Sequence, residues 1–587
     1  MNTLNIKRGH MERLTIENYK QLEPYIKDAD YNEYNSNIVT MLMWQGSYPV
    51  YFSCYEHFAL VYNKMPHREP VWLMPYCKKE YRKEAVDKIK ELSEQEHISF
   101  EIHSMIKEFK DWLQETYPNE FLIWDCYNAR DYIYDRKQQE TLAGKKMQKR
   151  RNHFHAFEKE YEGRYHYKTL DKKDIPHIYE FLAYWKKQKE AMDSIDVEEE
   201  GIHFLLEHME ELPIMGGCIY IDGKLEAFNI TSLVSHDTIQ IHVEKANKQI
   251  RGLYIAILKL FLETLDDAVL YVNREDDMGL PELRKAKTDM QPISKTRKFG
   301  SCYQKIIIRK AVPEDISAIK NLWLSNFEDE TPASTDYYFE HFYHMEDCYV
   351  CVSEDEFISM LQLRPLSLML NGKKDDVSFV VGVATNKEYE GCAYMKQLLQ
   401  YAMAQASKTQ NYMILQAYNW DIYRSFGFEE CYKFAKIKLS KDAYSQGEGA
   451  FVSTYDIKTL LSLYEIYVQD KNGYRIRDLA YYENLFLPNA HLWHQDIQVF
   501  EVQGKAVGYI VKEEHADETD ILEFIYEDTN ACNNMLYALS QSDKKIIIHT
   551  DLQTEITGRK KEATCMMMAS LHGASLPDSN LYINETL

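Results

Sequence analysis

Four times along the 587 residues, a short run with alternating apolar positions meets an acidic or proline-bearing turn and opens into an amphipathic helix. Leu14-Thr-Ile-Glu-Asn leads into a helix over 19–26. Tyr167-Lys-Thr-Leu170 is followed by a turn from Asp171 to Pro176 and a helix over 178–185. The run 306–311 meets Pro313-Glu-Asp315 and a helix over 316–327. Phe451-Val-Ser-Thr-Tyr455 meets Asp456 and a helix over 457–467. Proline and carboxylates suit a helix's first turn, where backbone N–H groups lack partners and the dipole is positive. About 40–50 residues after each start comes a strand–turn–strand signal, at 51–62, 218–231 (around Asp222-Gly223), 349–363 and 499–511 (around Gly504). The register predicts an α/β chain of four tandem units of one type, arranged as two pairs.

Composition narrows the classes. The length implies about three to five folded units, and 45% hydrophobic residues exclude global disorder. No apolar run reaches the ~18–20 residues needed to span a bilayer. Charges interrupt residues 1–14 where an export signal needs its apolar stretch. Eleven scattered cysteines fit reduced thiols in the cytoplasm rather than a disulfide framework. The lone CxxC of Cys348 and Cys351 reads as buried strand cysteines, and His153-Phe-His155 as solvated residues on a basic helix. No zinc quartet, Walker loop or nucleophile elbow appears, so no metal is expected. The formal charge of −23 opposes whole-surface binding of RNA or anionic lipid. It is uneven, however. Residues 1–305 hold 44 Lys+Arg against 50 Asp+Glu, and the remainder 25 against 42. An anionic substrate such as RNA therefore belongs to the first half.

The third unit has a buried-strand run, Val377-Ser-Phe-Val-Val-Gly-Val-Ala-Thr385. A glycine-bearing loop then precedes a helix over 396–406, a place where backbone N–H groups can grip a pyrophosphate. With Asp421-Ile-Tyr-Arg-Ser-Phe-Gly-Phe428 downstream, this run resembles the acetyl-CoA core of the GNAT acyltransferases, closest to the enhanced-intracellular-survival type. The resemblance implies acyl-CoA contacts at Val383, Ala384, Thr385, Gly391, Cys392, Ala393, Tyr394, Met395 and Lys396. It also implies a general acid at Tyr423, whose phenol can protonate a departing thiolate. That family pairs a catalytic unit with a degenerate one, which fits 305–445 and 446–587. This chain has Glu390 and Ala393 where the family loop has Arg and Gly, and too few residues follow Met568 for the family's sterol-carrier-like domain. A carboxylate facing inward about 5 Å from a phosphate would cost ~3 kcal/mol.

The first pair, 1–304 (units 1–160 and 161–304), holds five cations within seven residues: Lys145, Lys146, Lys149, Arg150 and Arg151, followed by Asn152. Later come His242-Val-Glu-Lys-Ala246, Arg251-Gly252, and the run 271–287 with Asn273, Arg274, Glu275, Arg284 and Lys285. These motifs closely resemble the C-terminal part of phosphatidylglycerol lysyltransferases, a double GNAT-like fold related to the Fem aminoacyltransferases. Members of that group take an amino acid from aminoacyl-tRNA. Lys145, Lys149, Arg150, Arg151, Asn152, His242, Glu244, Lys245, Arg251, Asn273, Arg274, Glu275, Arg284 and Lys285 are the expected substrate- or anion-binding set, with Arg forks for phosphate or carboxylate. The blander alternative pairs these charges with one another, Glu244 with Lys245 or Arg274 and Glu275 with Arg284.

The expected function is transfer of an acyl group from acetyl-CoA or another acyl-CoA to a small-molecule or peptide amine. Rivals are aminoacyl-tRNA-dependent transfer in the first pair, and a non-catalytic ligand-binding protein with a relict fold.

Overall fold

The computed structural model describes residues 11–64, 69–187, 193–354, 356–573, 575–577 and 581–583. Most of the stretch on which the expectation of no export signal rests, residues 1–10, lies outside them. The chain divides into two compact units, Met1–Ile306 and Ile307–Leu587.

In the first unit the elements run β1 (Glu12–Arg13), α1 (Tyr19–Ala29), β2 (Val50–Cys54), β3 (Phe58–Asn63), β4 (Val71–Leu73), α2 (Arg82–Glu96), β5 (Glu101–Ile106) and β6 (Phe121–Asp125). There follow β7 (Asp131–Asp135), α3 (Gln148–Glu160), β8 (Tyr165–Thr169), α4 (Ile175–Lys187), β9 (Met215–Ile221), β10 (Lys224–Ser235) and β11 (Thr238–Ala246). The unit closes with α5 (Leu253–Leu262), β12 (Tyr271–Asn273), β13 (Ser294–Thr296) and β14 (Lys298–Tyr303). Two sheets result, ordered β1-β2-β3-β4-β5-β14-β6 and β13-β7-β12-β11-β10-β9-β8.

The second unit begins β15 (Ile307–Lys310), α6 (Ile316–Asn326), α7 (Pro332–His341), β16 (Cys348–Val352), β17 (Phe357–Leu370) and β18 (Lys373–Thr385). It continues α8 (Tyr394–Ala406), β19 (Tyr412–Leu415), α9 (Trp420–Arg424), β20 (Phe428–Leu439), β21 (Ala450–Val452), α10 (Ile457–Tyr467) and β22 (Asp496–Val502). Last are β23 (Lys505–Glu514), β24 (Glu518–Tyr526), α11 (Thr529–Ser540), β25 (Lys545–Thr550) and β26 (Gly558–Ser570). One continuous sheet forms, ordered β15-β16-β17-β18-β19-β26-β20-β25-β24-β23-β22-β21.

The four predicted helix starts and four hairpins stand where the pattern puts them. Tight turns at Asp222-Gly223 and Gln503-Gly504 have positive φ at both residues, the geometry that matches strand twist. Cys348 and Cys351 are both buried in β16.

The described residues of the four repeats form three sheets rather than one sheet each. Each pair exchanges strands. In the first pair β14, from the end of the pair, inserts between β5 and β6, while β7 inserts between β12 and β13. In the second pair β26 inserts between β19 and β20, and β20 then pairs with β25. There the crossing strands run unbroken from one repeat into the next, so the sheets fuse. In the first pair both crossings are broken, one at residues 126–130 and one at Arg297. Asp125 ties the breaks together: Arg130 donates to it at 2.5 Å, and Arg297 binds the same carboxylate.

Each repeat also contains one parallel strand pair: β4 with β5, β11 with β12, β18 with β19, and β24 with β25. In the last three the first strand outruns its partner and leaves a split in the sheet.

Candidate functional site

The third repeat builds its split from β18 and β19. They pair only through Ser378–Val380 and Met413–Leu415, after which β18 continues to Thr385 against β17. A bulge lies in β18 where Val381 opposes Gln362 and Ala384 opposes Met360. At its centre Gly382 has φ +62, and a Cβ there would sit 2.4 Å from the Trp323 ring, so only glycine fits. Val383 and Met395 pack on the core cluster that also takes Tyr423, Trp420 and Phe426. This puts Val383, Met395 of α8 and Tyr423 on one face of the β18–β19 pair. Tyr423 is half-buried, and burial raises its phenol above the ordinary value, so it stays protonated at neutral pH. Thr385 shares a hydrogen bond with Ser359 at 2.9 Å, while Ala384 faces the opposite side, in the cluster under α6 and α7.

The loop before α8 positions Gly391 at φ 74 and Ala393 at φ 69, with Cys392 and Tyr394 buried and Lys396 exposed. Ala393 therefore adopts the left-handed backbone that a glycine would take without strain. No side chain caps the helix that follows. Glu390 is exposed, which removes most of the penalty expected for an inward carboxylate. At the matching place in the fourth repeat the Asp528 carboxylate itself accepts from the Ala531 N–H at 2.8 Å. That helix end already carries negative charge.

The second repeat builds its split from β11 and β12, paired only through Thr238–Gln240 and Tyr271–Asn273. Across the opening Arg274 binds Glu244 with two hydrogen bonds, 2.9 and 3.2 Å. Arg150 reaches the same place from α3. Burial first and Arg274 second hold its guanidinium down at about 10, and its Nε is buried without a hydrogen-bond partner. Two guanidinium groups thus face one carboxylate. Beside them His153 is pushed below its ordinary value by burial, then by Arg251, Lys149 and Arg150, which places these cations around it. Gly252, at φ +85, opens α5 against the His153 carbonyl, 2.3 Å from where a Cβ would lie.

Several predicted contacts are corrected. His242 is buried and held neutral, down at about 3, by burial; it bonds Ser232 at 2.7 Å. Its imidazole is a satisfied core group. Asn273 is used at both ends: its amide donates to Asp131 and its carbonyl accepts from the Glu275 N–H, each at 2.8 Å. Lys245 points to the other face of β11, onto Glu198 at 2.7 Å, because neighbours on a strand face opposite ways. Arg284 forks onto Asp277 at 2.9 and 3.0 Å rather than onto Glu275, and holds that carboxyl far below its usual range. Arg151 binds the carbonyls of Leu142 and Gly144, and Asn152 accepts from Gln148 at 2.8 Å. Lys145 lies in the turn before α3 and Lys149 on that helix; both are exposed, as are Arg251 and Lys285.

Glu275 has a different environment. Its backbone is left-handed at φ 58, Gln240 donates to it at 2.9 Å, and burial raises its carboxyl to about 7. Behind it lies a network the sequence pattern does not reveal. Lys298 binds Asp131 at 2.6 Å and Glu33 at 3.2 Å, all three fully buried, while Tyr34 donates to Asp276 at 3.0 Å. Its members come from four separate segments of the chain. A cavity of about 820 Å³ in the second unit and one of about 560 Å³ in the first are lined by none of the predicted residues. Among the described residues no cluster suits a metal ion, and no helix is long and apolar enough to cross a membrane.

Residues 28–300 match the family model of phosphatidylglycerol lysyltransferase, C-terminal, and residues 307–431 that of an acetyltransferase (GNAT) domain. The chain joins these two acyltransferase-superfamily regions in tandem. It is similar to a conserved protein of unknown function from Bacteroides thetaiotaomicron (26% identity, 50% of this chain and 99% of that one, TM-score 0.47). It is also similar to L-PGS from Bacillus licheniformis (13%, 48% and 91%, TM-score 0.36) and to Eis1 from Mycobacterium abscessus (12%, 45% and 73%, TM-score 0.37). An uncharacterized protein of Mycoplasmoides gallisepticum is 23% identical over 182 residues, which are 31% of this chain and 58% of that protein's length.

Proposed function

We propose that the third repeat transfers an acyl group from acyl-CoA, acetyl-CoA being the simplest donor, to an amine. The observation that carries this reading is that Tyr423, Val383 and Met395 all pack against one apolar cluster, which also holds Val380 of β18 with Met413 and Leu415 of β19. Val383–Thr385 would hold the donor by backbone groups, and the uncapped start of α8, Gly391–Lys396, would face its pyrophosphate. Holding thioester and amine together supplies most of the acceleration. As the C–N bond forms and the C–S bond breaks, the amine loses a proton and Tyr423 gives one to the departing thiolate. The fourth repeat, its helix end closed by Asp528, serves as the structural partner that supplies β26 to the third. Calorimetry with acetyl-CoA, followed by a thiol-release assay on an amine panel, tests the reading; absence of binding refutes it.

A second reading places aminoacyl-tRNA-dependent transfer in the first pair. The surplus cation at Arg150–Glu244–Arg274, with Lys149 and Arg251 nearby, favours an anionic substrate there. RNA binding that weakens steeply with salt, and falls in Arg150→Met, is its signature. Failure of both tests favours a non-catalytic binding protein.

A further inference from the structure

On β17 the residues at even positions, Met360, Gln362 and Arg364, face α6 and α7, the side of the sheet opposite α8. Arg364 is only 8% exposed and forms no ion pair with a described residue. Its Nη2 donates to the Tyr338 hydroxyl at 3.2 Å, and that hydroxyl donates to the Gln362 carbonyl oxygen at 2.9 Å. The guanidinium lies against the Tyr338 and Phe342 rings, 5.9 and 5.8 Å from their centroids. Two donors remain on β17: Arg364 Nη1 and Gln362 Nε2 are both buried without a hydrogen-bond partner, as is a third donor, Trp323 Nε1 of α6, in the same layer. Asp347 is within electrostatic reach of Arg364 but makes no ion pair with it.

A buried guanidinium that makes no ion pair is costly, and a planar fork beside a carboxamide donor matches a two-oxygen anion. Its position adds a second constraint. Gln362 is paired with Val381, the residue before the Gly382 bulge, and Arg364 with Phe379. The donors therefore stand on the strand next to β18, ~5 Å away, and the other edge of β18 lines the split on which the acyl-transfer reading rests.

We infer that Arg364 and Gln362 hold the carboxylate of the acceptor, which is an amine bearing a carboxylate close to it, an amino acid. The amine would then reach the split while its carboxylate stays under α7. Phosphate offers similar oxygens but more of them and more charge than two donors satisfy.

The test compares free amino acids with their decarboxylated amines in the thiol-release assay with acetyl-CoA. At least one amino acid should exceed its amine by about 100-fold in kcat/KM, because a buried donor left unpaired disfavours the analogue. In Arg364→Met that ratio should fall to a few-fold with acetyl-CoA affinity unchanged, and Gln362→Leu should lower it less. Arg364→Lys replaces Arg364→Met if the latter does not fold. Equal rates for amino acids and amines, or a preference that survives Arg364→Met, overturns the inference. If acetyl-CoA is neither bound nor turned over, the acyl-transfer reading fails separately. Titration of the protein with a mixture of carboxyl-labelled amino acids, followed by NMR, then decides the carboxylate site alone. Binding abolished by Arg364→Met supports it; binding of none, or of inorganic phosphate only, overturns it.

Discussion

Arg274 closes on Glu244 with two hydrogen bonds across the split between β11 and β12. Both side chains are largely buried, so the pair matters mainly through what its loss would leave behind. Arg274→Met strands a buried carboxylate with Arg150 as its remaining neighbour and should cost about 3 kcal/mol in urea unfolding. Arg274→Met/Glu244→Leu should recover most of that loss. An additive double mutant would show that the two residues do not act as a pair.

Glu275 sets a pH dependence. Its carboxyl is raised to about 7 in the fold, whereas an unfolded glutamate titrates near 4.5. Between those values the folded state binds more protons than the unfolded state, so stability falls as pH rises through the window. The full effect is about 3 kcal/mol for one such group. Glu275→Gln should flatten the decline between pH 4.5 and 7 in chemical denaturation. An identical slope in the variant would remove Glu275 as its source.

Tyr423 and Glu390 should separate chemistry from binding. Tyr423→Phe should lower acyl-transfer turnover about 100-fold while leaving acetyl-CoA affinity nearly unchanged, since a proton donor acts in the transition state. Glu390→Arg should tighten acetyl-CoA binding, less so at high salt, with little change in turnover. Calorimetry beside steady-state kinetics reads both; unchanged turnover in Tyr423→Phe excludes it as the acid.

Two helices begin from left-handed residues, one strained and one relaxed. Ala393→Gly should raise stability by about 1 kcal/mol, because the alanine adopts positive φ against its Cβ. Gly252→Ala should destabilise by more than that, since its Cβ would also meet the His153 carbonyl. Melting temperatures of the two variants should move in opposite directions.

Much of the architecture is local and therefore legible in the sequence. Helix starts at Asp171, Pro313 and Asp456, and turns at Asp222-Gly223 and Gln503-Gly504, depend on residues a few positions apart. The apolar period then fixes which face each element buries. The loop 391–396 is legible for the same reason. Strand exchange is not: β14 and β26 carry no local mark of which sheet they enter, and only long-range pairing decides it. The site charges follow the same division. That Arg274 and Glu244 would meet was one of several pairings open to the sequence. Arg284 took Asp277, Lys245 took Glu198, and His242 became a neutral core group because of how strands alternate and what buries them. Arg364 shows the limit most plainly. In sequence it is one arginine in an apolar strand; its unpaired, buried donor beside Gln362 exists only once α7 has packed across β17.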